Sequence, residues 1–597
     1  MGPPTTRKRC LAVVLIAVGF LLIGTAAATA QVPLAPVHEF PLGGNREAVW
    51  VVAQLHILFA AFILGAPIFV TVCEILGWKK GDTRYERLAR EVTSVTAVLY
   101  SMTALTGGFF IFVLLATYPR LTEWLVNHFF AIFALIYPAL FIAETIILYL
   151  YWYTWDALQG AKKLRHIALG VLLNVIGTAT LIVIDGPTAF MNTPVKSPEG
   201  LDLQTFIETT ATVWDKMNNF VWWPLNIHRF VGNVMFGGFI AGLIAAYLYL
   251  AAKTDEDRAF YDWFGFVGNL IGVGAFMVLP FAGYLLSYEL CDYDASICPY
   301  MMADQLSMFF EVQGAMIGLI FLASNYYIWL SMKRIEGAER IRMSAATLFL
   351  MVTIPVVFML VWTRFPIPDP MSFIIPAAYV GVFLLIGRFL PWTVSTRTMV
   401  KAAFLMVIIG NAIWMTPHAF VATQALEPDD GSLSLPHAEL NLGFVTVSWD
   451  MLALMPAKNA AAFTLVFVTI VNYILYNRAI RQGRIQWGKI DFISQFVLVF
   501  LAFSAIWTMG LMGAVRELTR KYFHVYNLQY DFTSEAFTPT LAYSSWLITG
   551  ITLTFYLVVS FAILLTLRMG KEKVHVEALG KRVTTVKRHA EVTTKAG

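Results

Sequence analysis

The chain has 597 residues, of which 58% are hydrophobic and only 13% are charged, and its mean hydropathy is +0.68. Soluble proteins carry about 25% charged residues, so this composition excludes a soluble globular enzyme and indicates an integral membrane protein. The formal net charge is only +4, and most basic residues fall in short loops, which argues against nucleic acid as a partner.

Residues 1–30 have the pattern of a secretory signal peptide. Three basic residues at positions 7–9 precede an apolar run that begins at Leu11, and a stretch of small residues ends at Ala30. We expect cleavage after Ala30. The alternative is a helix that stays uncleaved and anchors the chain.

The rest of the chain contains thirteen apolar segments of roughly 20 or more residues, a length that spans a bilayer. In hydrocarbon each segment must satisfy its own backbone hydrogen bonds, so each is predicted to be a helix. The predicted fold class is therefore all-α, a polytopic membrane bundle of about 13 transmembrane helices. The segments are 47–76, 93–117, 127–155, 165–186, 224–252, 262–289, 307–332, 342–364, 371–390, 398–420, 458–477, 490–513 and 542–568.

Every second loop between these segments is rich in lysine and arginine, and so is the tail at 571–597. Because basic loops stay in the cytoplasm, the pattern predicts a bacterial inner-membrane protein with its mature N-terminus outside and its C-terminus cytoplasmic. The loop at 291–306 then lies outside. Cys291 and Cys298 in that loop are candidates for a disulfide in an oxidising compartment.

Two histidines lie inside predicted membrane helices at a similar depth near the outer side, His56 in the first segment and His228 in the fifth. A lone histidine there is commonly a partner for a neighbouring helix or an interfacial residue. Two at one depth on different helices favour axial ligation of haem, for which neutral imidazole is the commonest ligand. Glycines beside them, such as Gly65 and Gly238, would let helix backbones stand back from a haem.

Further polar residues fit the same chemistry. Glu144, in the middle of the third segment, is a candidate for a proton path, or else a protonated acid bonded to a neighbour. Arg229 and Arg516 could pair with haem propionates, because guanidinium groups match carboxylates. His418 and His524, near the outer ends of later segments, are candidates for further haem or metal ligands, and copper is an alternative there.

Three stretches resemble subunit I of cytochrome bd-type terminal oxidases, over about residues 45–290. "LHILFAAFILGAPIFVTVCEI" resembles that family's first helix, "FIAETIILYLYWYTWD" its third and "NIHRFVGNVMFGGFIAGLIAAYLYL" its fifth. The resemblance implies that His56 and His228 are haem axial ligands and that Glu144 is the family's buried glutamate. It also implies two or more haem b groups, with haem d or copper as further alternatives.

The sequence also departs from that family. Ile136 stands where the family has a second carboxylate, a short loop at 291–306 replaces the long quinol-binding loop, and a later Gly-Arg-Gln-Pro-Trp motif is absent. The family's haem-ligating methionine has only Met308 or Met316 as a match, of which Met316 is preferred. We therefore expect a bd-like haem-binding bundle at 31–290, followed by additional transmembrane helices at 307–570.

The expected function is that of a membrane oxidoreductase, a bd-like terminal oxidase that passes electrons from quinol or a periplasmic cytochrome c to O₂. Membrane lipid surrounds the chain, and other membrane subunits are expected partners. One alternative is a haem-bearing electron-transfer subunit of a larger respiratory complex that does not reduce O₂. Another is a secondary transporter, although no internal symmetry of the kind common in transporters is evident in the sequence.

Overall fold

The structure, a computed structural model, describes residues 36, 38–41, 44–295, 297, 301, 307–365, 369–425, 439–441, 446–448, 455–519 and 543–566. Within these ranges the chain is an all-α membrane bundle, as predicted. Eleven of the described helices are long and apolar enough to cross a membrane. The other two of the thirteen predicted segments are 371–390 and 398–420. The first forms a helix of only 16 residues, and the second lies within a helix of 30 residues. The signal peptide and the basic tail lie outside the described residues.

The first part of the bundle contains nine α-helices, and a π-helix at Ala131–Ile136 leads directly into the fourth. They are α1 (Asn45–Lys80), α2 (Thr83–Thr117), α3 (Pro119–His128), α4 (Tyr137–Tyr153), α5 (Lys163–Asn192), α6 (Leu203–Thr209), α7 (Val213–Met217), α8 (Trp222–Ala251) and α9 (Asp255–Tyr293).

Seven α-helices follow in the second part. They are α10 (Ser307–Ser331), α11 (Ala345–Arg364), α12 (Met371–Ile386), α13 (Thr396–Ala425), α14 (Met455–Gln482), α15 (Ile493–Leu518) and α16 (Tyr543–Thr566). One hydrophobic core runs through both parts, because buried residues of α1 and α8 pack together with those of α10, α14, α15 and α16. The two predicted halves therefore share one interior.

Short strands and ion pairs join the basic loops at one end of the bundle, here named the basic end. Strand β1 (Ile335–Glu336) pairs antiparallel with β6 (Arg484–Ile485), and β2 (Arg342–Ser344) pairs with β3 (Thr393–Ser395). Arg87 bonds Asp257 at 3.0 Å and Arg90 bonds Asp156 at 2.8 Å. The loops that the sequence identified as basic therefore meet on one side. Strands β4 (Glu439–Asn441) and β5 (Thr446–Ser448) form a separate hairpin.

Glycines let α1, α8 and α9 approach each other closely. A Cβ on Gly65 would lie 1.8 Å from the carbonyl oxygen of Asn233, and one on Gly238 would lie 2.4 Å from the backbone nitrogen of Gly272. Small residues at such crossings are typical of membrane helix pairs. The expectation that Gly65 and Gly238 make room for a haem is therefore wrong, because their space is filled by neighbouring backbone.

A buried ion pair ties α9 to the segment after α10 at the basic end. The guanidinium of Arg334 is fully buried and forms two bonds to the carboxylate of Asp262, one of them from Nε at 2.9 Å. Its other donors reach the hydroxyls of Tyr327 and Tyr476, at 2.9 and 3.0 Å. The charge of the arginine is thus balanced and each of its three nitrogens donates at least one hydrogen bond, as burial of an ion requires.

We predict that Asp262→Asn lowers the stability of the bundle by about 3–5 kcal/mol, because it leaves the guanidinium of Arg334 buried without its counter-charge. Asp491→Asn is the matched control, since Asp491 pairs with the half-exposed Lys333 at the same end, where a pair contributes about 0–1 kcal/mol. Thermal unfolding of the detergent-solubilised protein measures both. Equal unfolding midpoints for the two variants would contradict the role of the buried pair.

Candidate functional site

A cavity of about 730 Å³ lies among α1, α2, α4 and α5, on the far side of the bundle from the basic end, and most of its lining is apolar. Four residues that the sequence analysis singled out line it: His56 from α1, Glu144 from α4, Arg229 from α8 and Arg516 from α15. These positions are far apart in sequence, so the fold brings together a candidate ligand, a carboxylate and two guanidinium groups around one space.

The imidazole of His56 is held in one orientation by α2. Its Nδ1 lies 3.1 Å from the carbonyl oxygen of Thr103 and 3.3 Å from the hydroxyl of Thr106. A carbonyl oxygen can only accept, so Nδ1 carries the proton and the lone pair of the neutral ring is on Nε2. Hydrogen bonding of one ring nitrogen to a backbone carbonyl is the usual way in which a metal-binding histidine is oriented.

A glycine leaves the space that the ring of His56 needs. A Cβ on Gly107 of α2 would lie only 2.8 Å from Cε1 of His56 and 3.2 Å from its Nδ1. No side chain could therefore occupy position 107 without displacing the imidazole. Gly107 lines the cavity together with Gly108, so this wall is formed by backbone.

The guanidinium of Arg229 pairs with a carboxylate that the sequence analysis missed. Its Nη1 bonds Oδ1 of Asp185 on α5, whose side chain is fully buried. Oδ2 of Asp185 has no hydrogen-bond partner among the described residues. A carboxylate within the apolar stretch "LIVIDGPTAF" was the signal that could have identified it. Arg229 is one-fifth exposed and still reaches the cavity lining.

Glu144 is buried, with 5% of its surface exposed, and faces the cavity from α4. Its Oε1 would lie 3.3 Å from a Cβ on Gly177, so a glycine of α5 again provides the room. Tyr100 and Tyr137 line the same cavity. Tyr100 bonds Thr145 at 2.5 Å, one residue beyond Glu144 in α4.

His228 does not line this cavity, and neither does Met316. The ring of His228 packs near Gly283 of α9, where a Cβ would lie 3.6 Å from its Cε1. Its Nδ1 is buried without a hydrogen-bond partner among the described residues. Met316 is half-buried on α10. If these residues hold a haem, it is a second one, separate from the cavity of His56.

Buried polar residues between the cavity and the basic end form a cluster that the sequence analysis also missed. Nδ1 of His166 lies 2.5 Å from Oε1 of Glu74, and Nζ of Lys163 lies 2.7 Å from the same oxygen. The hydroxyl of Tyr151 donates to Oε2 of Glu74 at 2.5 Å. All four side chains are at least 95% buried, so the cluster belongs to the interior.

Other predicted positions fall outside what the structure describes. His524 and Cys298 lie beyond the described residues, and of His418 only the backbone, within α13, is described. Cys291 at the end of α9 is disulfide-bonded. Its pairing with Cys298 stays a prediction.

The residues around the cavity fit a haem. The lone pair of His56 is available to iron, the apolar walls suit a porphyrin, and Arg229 and Arg516 suit its propionates. No group of three or more histidine, cysteine, aspartate or glutamate side chains that could hold a bare metal ion occurs among the described residues. The donor set at the cavity, one imidazole with two guanidinium groups beside apolar walls, resembles that of a haem pocket.

Comparison with known proteins agrees with the sequence motifs. Residues 45–303 match the family model described as cytochrome bd terminal oxidase subunit I. A Bacillus subtilis (strain 168) protein, provisionally named as a cytochrome bd menaquinol oxidase subunit I, is 25% identical over 202 residues, which are 34% of this chain and 44% of that protein. The match thus spans less than half of the length of that relative.

Among solved structures, bd oxidase from Geobacillus thermodenitrificans superimposes with a TM-score of 0.42 and 14% sequence identity, over 88% of this chain and 98% of that one. The sequence match carries the assignment, and it covers the helices that contribute His56, Glu144 and Arg229 to the cavity. Residues 45–303 of this chain are therefore similar in sequence to cytochrome bd terminal oxidase subunit I, the family that the motifs resemble.

Proposed function

We propose that the chain is a haem-carrying subunit of a bd-like terminal oxidase in the bacterial inner membrane. The observation that carries the proposal is the position of His56, whose Nε2 lone pair is free for iron at an apolar cavity that also contains two arginines and a carboxylate. Haem, when bound, supplies the electron transfer and the O₂ chemistry. The chain orients the ligand, balances the propionate charges and keeps water out.

The proposal includes at least two haem b groups. His56 holds one at the cavity, while His228 and Met316 hold another near α9 and α10. His418 and His524 remain candidates for a further haem or a copper ion. The electron donor is a quinol or a periplasmic cytochrome c, and the acceptor is O₂. In the alternative function, a haem-bearing electron-transfer subunit, the same residues hold haem but O₂ is not reduced.

Protons for O₂ reduction are proposed to come from the basic end, which we propose faces the cytoplasm because its loops are positive. Lys163 bonds both Glu74 and the partly exposed Glu86, at 2.7 Å each. Glu74 bonds Tyr151, and Tyr151 and Thr71 lie side by side against Gly170 of α5. These contacts connect the surface at the basic end to the buried cluster.

The same line of polar groups continues toward the cavity along α5. Nδ2 of Asn174 donates to the hydroxyl of Thr71 at 3.0 Å. Gly177, the glycine that faces Glu144, follows three residues later, a rise of about 4.5 Å along the helix. One or two waters would complete the route to Glu144, which is the proposed proton donor to the cavity.

The first test measures haem. Because His56 and His228 serve separate haems in this proposal, each change to alanine is expected to remove about one haem per chain and its own component of the reduced-minus-oxidised spectrum. His128→Ala is the control, since the ring of His128 stacks on Trp124 at 4.1 Å and its Nδ1 bonds the carbonyl of Trp124. Unchanged haem content and spectrum in His56→Ala would contradict the ligand assignment.

The second test measures proton delivery. Tyr151→Phe removes the hydroxyl that bonds Glu74 on the proposed route, so we expect O₂ consumption to fall at least about 10-fold while the haem spectrum stays unchanged. Tyr149→Phe is the matched control, because the hydroxyl of Tyr149 makes only 3.4 Å contacts with Ser101 and Ala97, outside this route.

Glu144→Gln should slow O₂ consumption at least as strongly as Tyr151→Phe, since Glu144 is the last group of the proposed proton route. O₂ consumption driven by ascorbate and a mediator isolates this step from the natural donor. Equal rates for Tyr151→Phe and Tyr149→Phe would exclude the route. A wild-type protein that contains haem but consumes no O₂ would favour the electron-transfer subunit.

A further inference from the structure

A proline produces an unusual turn at the start of α4. Pro138 has no backbone N–H and its ring crowds the carbonyl four residues earlier, so regular α-helical bonding cannot continue through this turn. The backbone N–H of Tyr137 instead bonds the carbonyl oxygen of Ile132, which closes the π-helix at Ala131–Ile136. Single π-turns of this kind are frequent at functional sites. The turn separates two neighbours, because Ile136 is 38% exposed whereas Tyr137 lines the cavity.

Tyr137 lies on the same face of α4 as Glu144. The seven residues between them make almost two full turns, so the two side chains leave the helix in nearly the same direction, about 10 Å apart along its axis. Both side chains line the cavity. Because α4 runs toward the basic end, Tyr137 is the one that lies farther from that end.

The height of Tyr137 in the bundle follows from a contact between α4 and α1. Both helices run toward the basic end, near which the hydroxyl of Tyr151 bonds Glu74 at 2.5 Å. Tyr137 lies about 21 Å from Tyr151 along α4. His56 lies about 27 Å from Glu74 along α1. A long side chain tilts toward the N-terminus of its helix, and for Tyr137 this tilt closes most of the difference.

The contact between α4 and α2 gives the same height. The hydroxyl of Tyr100 on α2 donates to the carbonyl oxygen of Phe141 on α4 at 3.3 Å. Tyr137 lies about 6 Å beyond Phe141, away from the basic end. Thr103 lies about 4.5 Å beyond Tyr100 in the same direction, and its carbonyl is the acceptor for Nδ1 of His56. Tyr137 and His56 therefore face one level of the cavity from the walls that α4 and α1 form.

The hydroxyl of Tyr137 is available to a molecule in the cavity. It forms no hydrogen bond with any described residue, and protein does not enclose it completely. Other hydroxyls of the cavity are occupied: that of Tyr100 bonds Thr145. Those of Thr180 and Thr188 donate to carbonyls of their own helix, at 2.9 and 3.1 Å. A phenol without a protein partner beside this space matches a small ligand that accepts a hydrogen bond.

We propose that Tyr137 is a catalytic residue, whose phenol donates a hydrogen bond and then a proton to the oxygen substrate held in the cavity at the level of His56. The inference rests on the proposed function, because it requires a haem on His56. It adds to that function a proton donor inside the cavity, beyond Glu144.

Each step of this chemistry moves one proton. The O–H bond of the phenol breaks while an O–H bond forms on the substrate oxygen, which leaves Tyr137 as the phenolate. A proton from the carboxylic acid of Glu144, carried by water across the cavity, restores the phenol. The proton route from the basic end then restores Glu144. Tyr137 gives up no electron, because the electrons that reduce O₂ come through haem.

The test measures how the phenol affects two probes that bind haem iron. The full-length haem-loaded protein in lipid nanodiscs is titrated with cyanide when oxidised and with CO when reduced. Tyr137→Phe should weaken cyanide binding about 10-fold, because a hydrogen bond to a charged ligand is lost. It should also raise the C–O stretching frequency in the infrared spectrum, since a nearby hydrogen-bond donor lowers that frequency. O₂ consumption driven by ascorbate and a mediator should fall at least about 10-fold.

Three further variants separate the phenol of Tyr137 from its surroundings. Tyr100→Phe is the matched control, because Tyr100 lines the same cavity but its hydroxyl bonds α4, so cyanide affinity and the C–O band should not change. Adding Ile136→Tyr to Tyr137→Phe moves the phenol to the exposed side of the helix and should not restore either readout. Glu144→Gln should leave the C–O band in place while it slows O₂ consumption, since Glu144 acts through Tyr137.

An unchanged C–O band and cyanide affinity in Tyr137→Phe overturn the role of Tyr137 even if the haem assignment holds. A band that moves equally in Glu144→Gln assigns the hydrogen bond to the carboxyl group and overturns that role as well. A wild-type protein without haem, or with haem that binds neither probe, contradicts the proposed function instead. Unfolding midpoints equal to that of the wild type show that each variant is folded.

Discussion

Burying a charged or strongly polar side chain in an apolar helix bundle costs free energy unless a partner satisfies it, and this constraint determines which helices of the chain must meet. Asp185 on α5 pairs with Arg229 on α8, and Lys163 on α5 pairs with Glu74 on α1. α1, α5 and α8 are thereby fixed around one side of the bundle. The cavity that contains His56 lies where these helices and α2 and α4 leave space.

The same constraint explains the imidazole of His56. Its Nδ1 donates to a backbone carbonyl of α2. Nε2 is then the remaining polar atom of the ring, and it lies beside a cavity whose walls are mostly apolar. A bound iron would satisfy that atom, and propionates would face Arg229 and Arg516, which line the same space. Haem, the proposed cofactor, would thus supply a partner for Nε2 of His56.

Much of this arrangement could be predicted from the sequence. Hydropathy shows which residues form a membrane helix, and a single polar residue within an apolar helix is easily recognised as a candidate functional residue. Within the described residues each of the thirteen apolar segments coincides over most of its length with a helix, and His56, Glu144, Arg229 and Arg516 all line one cavity. The cluster of Glu74 and His166 was missed, because each residue lies near the end of a helix, where polar residues are ordinary.

Glycine was the residue type most easily misread. Gly65 and Gly238 serve close contacts between backbones, whereas Gly107, which was not singled out, makes room for the imidazole. The spacing of glycines in the sequence shows that one face of a helix carries no side chains. It does not show which group packs against that face, because this depends on the three-dimensional packing. Asp185 illustrates a similar limit, since its charge was visible in the sequence while its pairing with Arg229 depends on the crossing of α5 and α8.

The central claim is that the cavity beside His56 holds an iron porphyrin. An electron cryomicroscopy map of the protein purified from haem-replete cells tests it most directly. The account predicts planar density within the cavity, with its metal centre bonded to Nε2 of His56 and its carboxylates directed toward Arg229 or Arg516. A cavity that contains only lipid or water in that map, or a porphyrin bound elsewhere with Nε2 of His56 unligated, would contradict it.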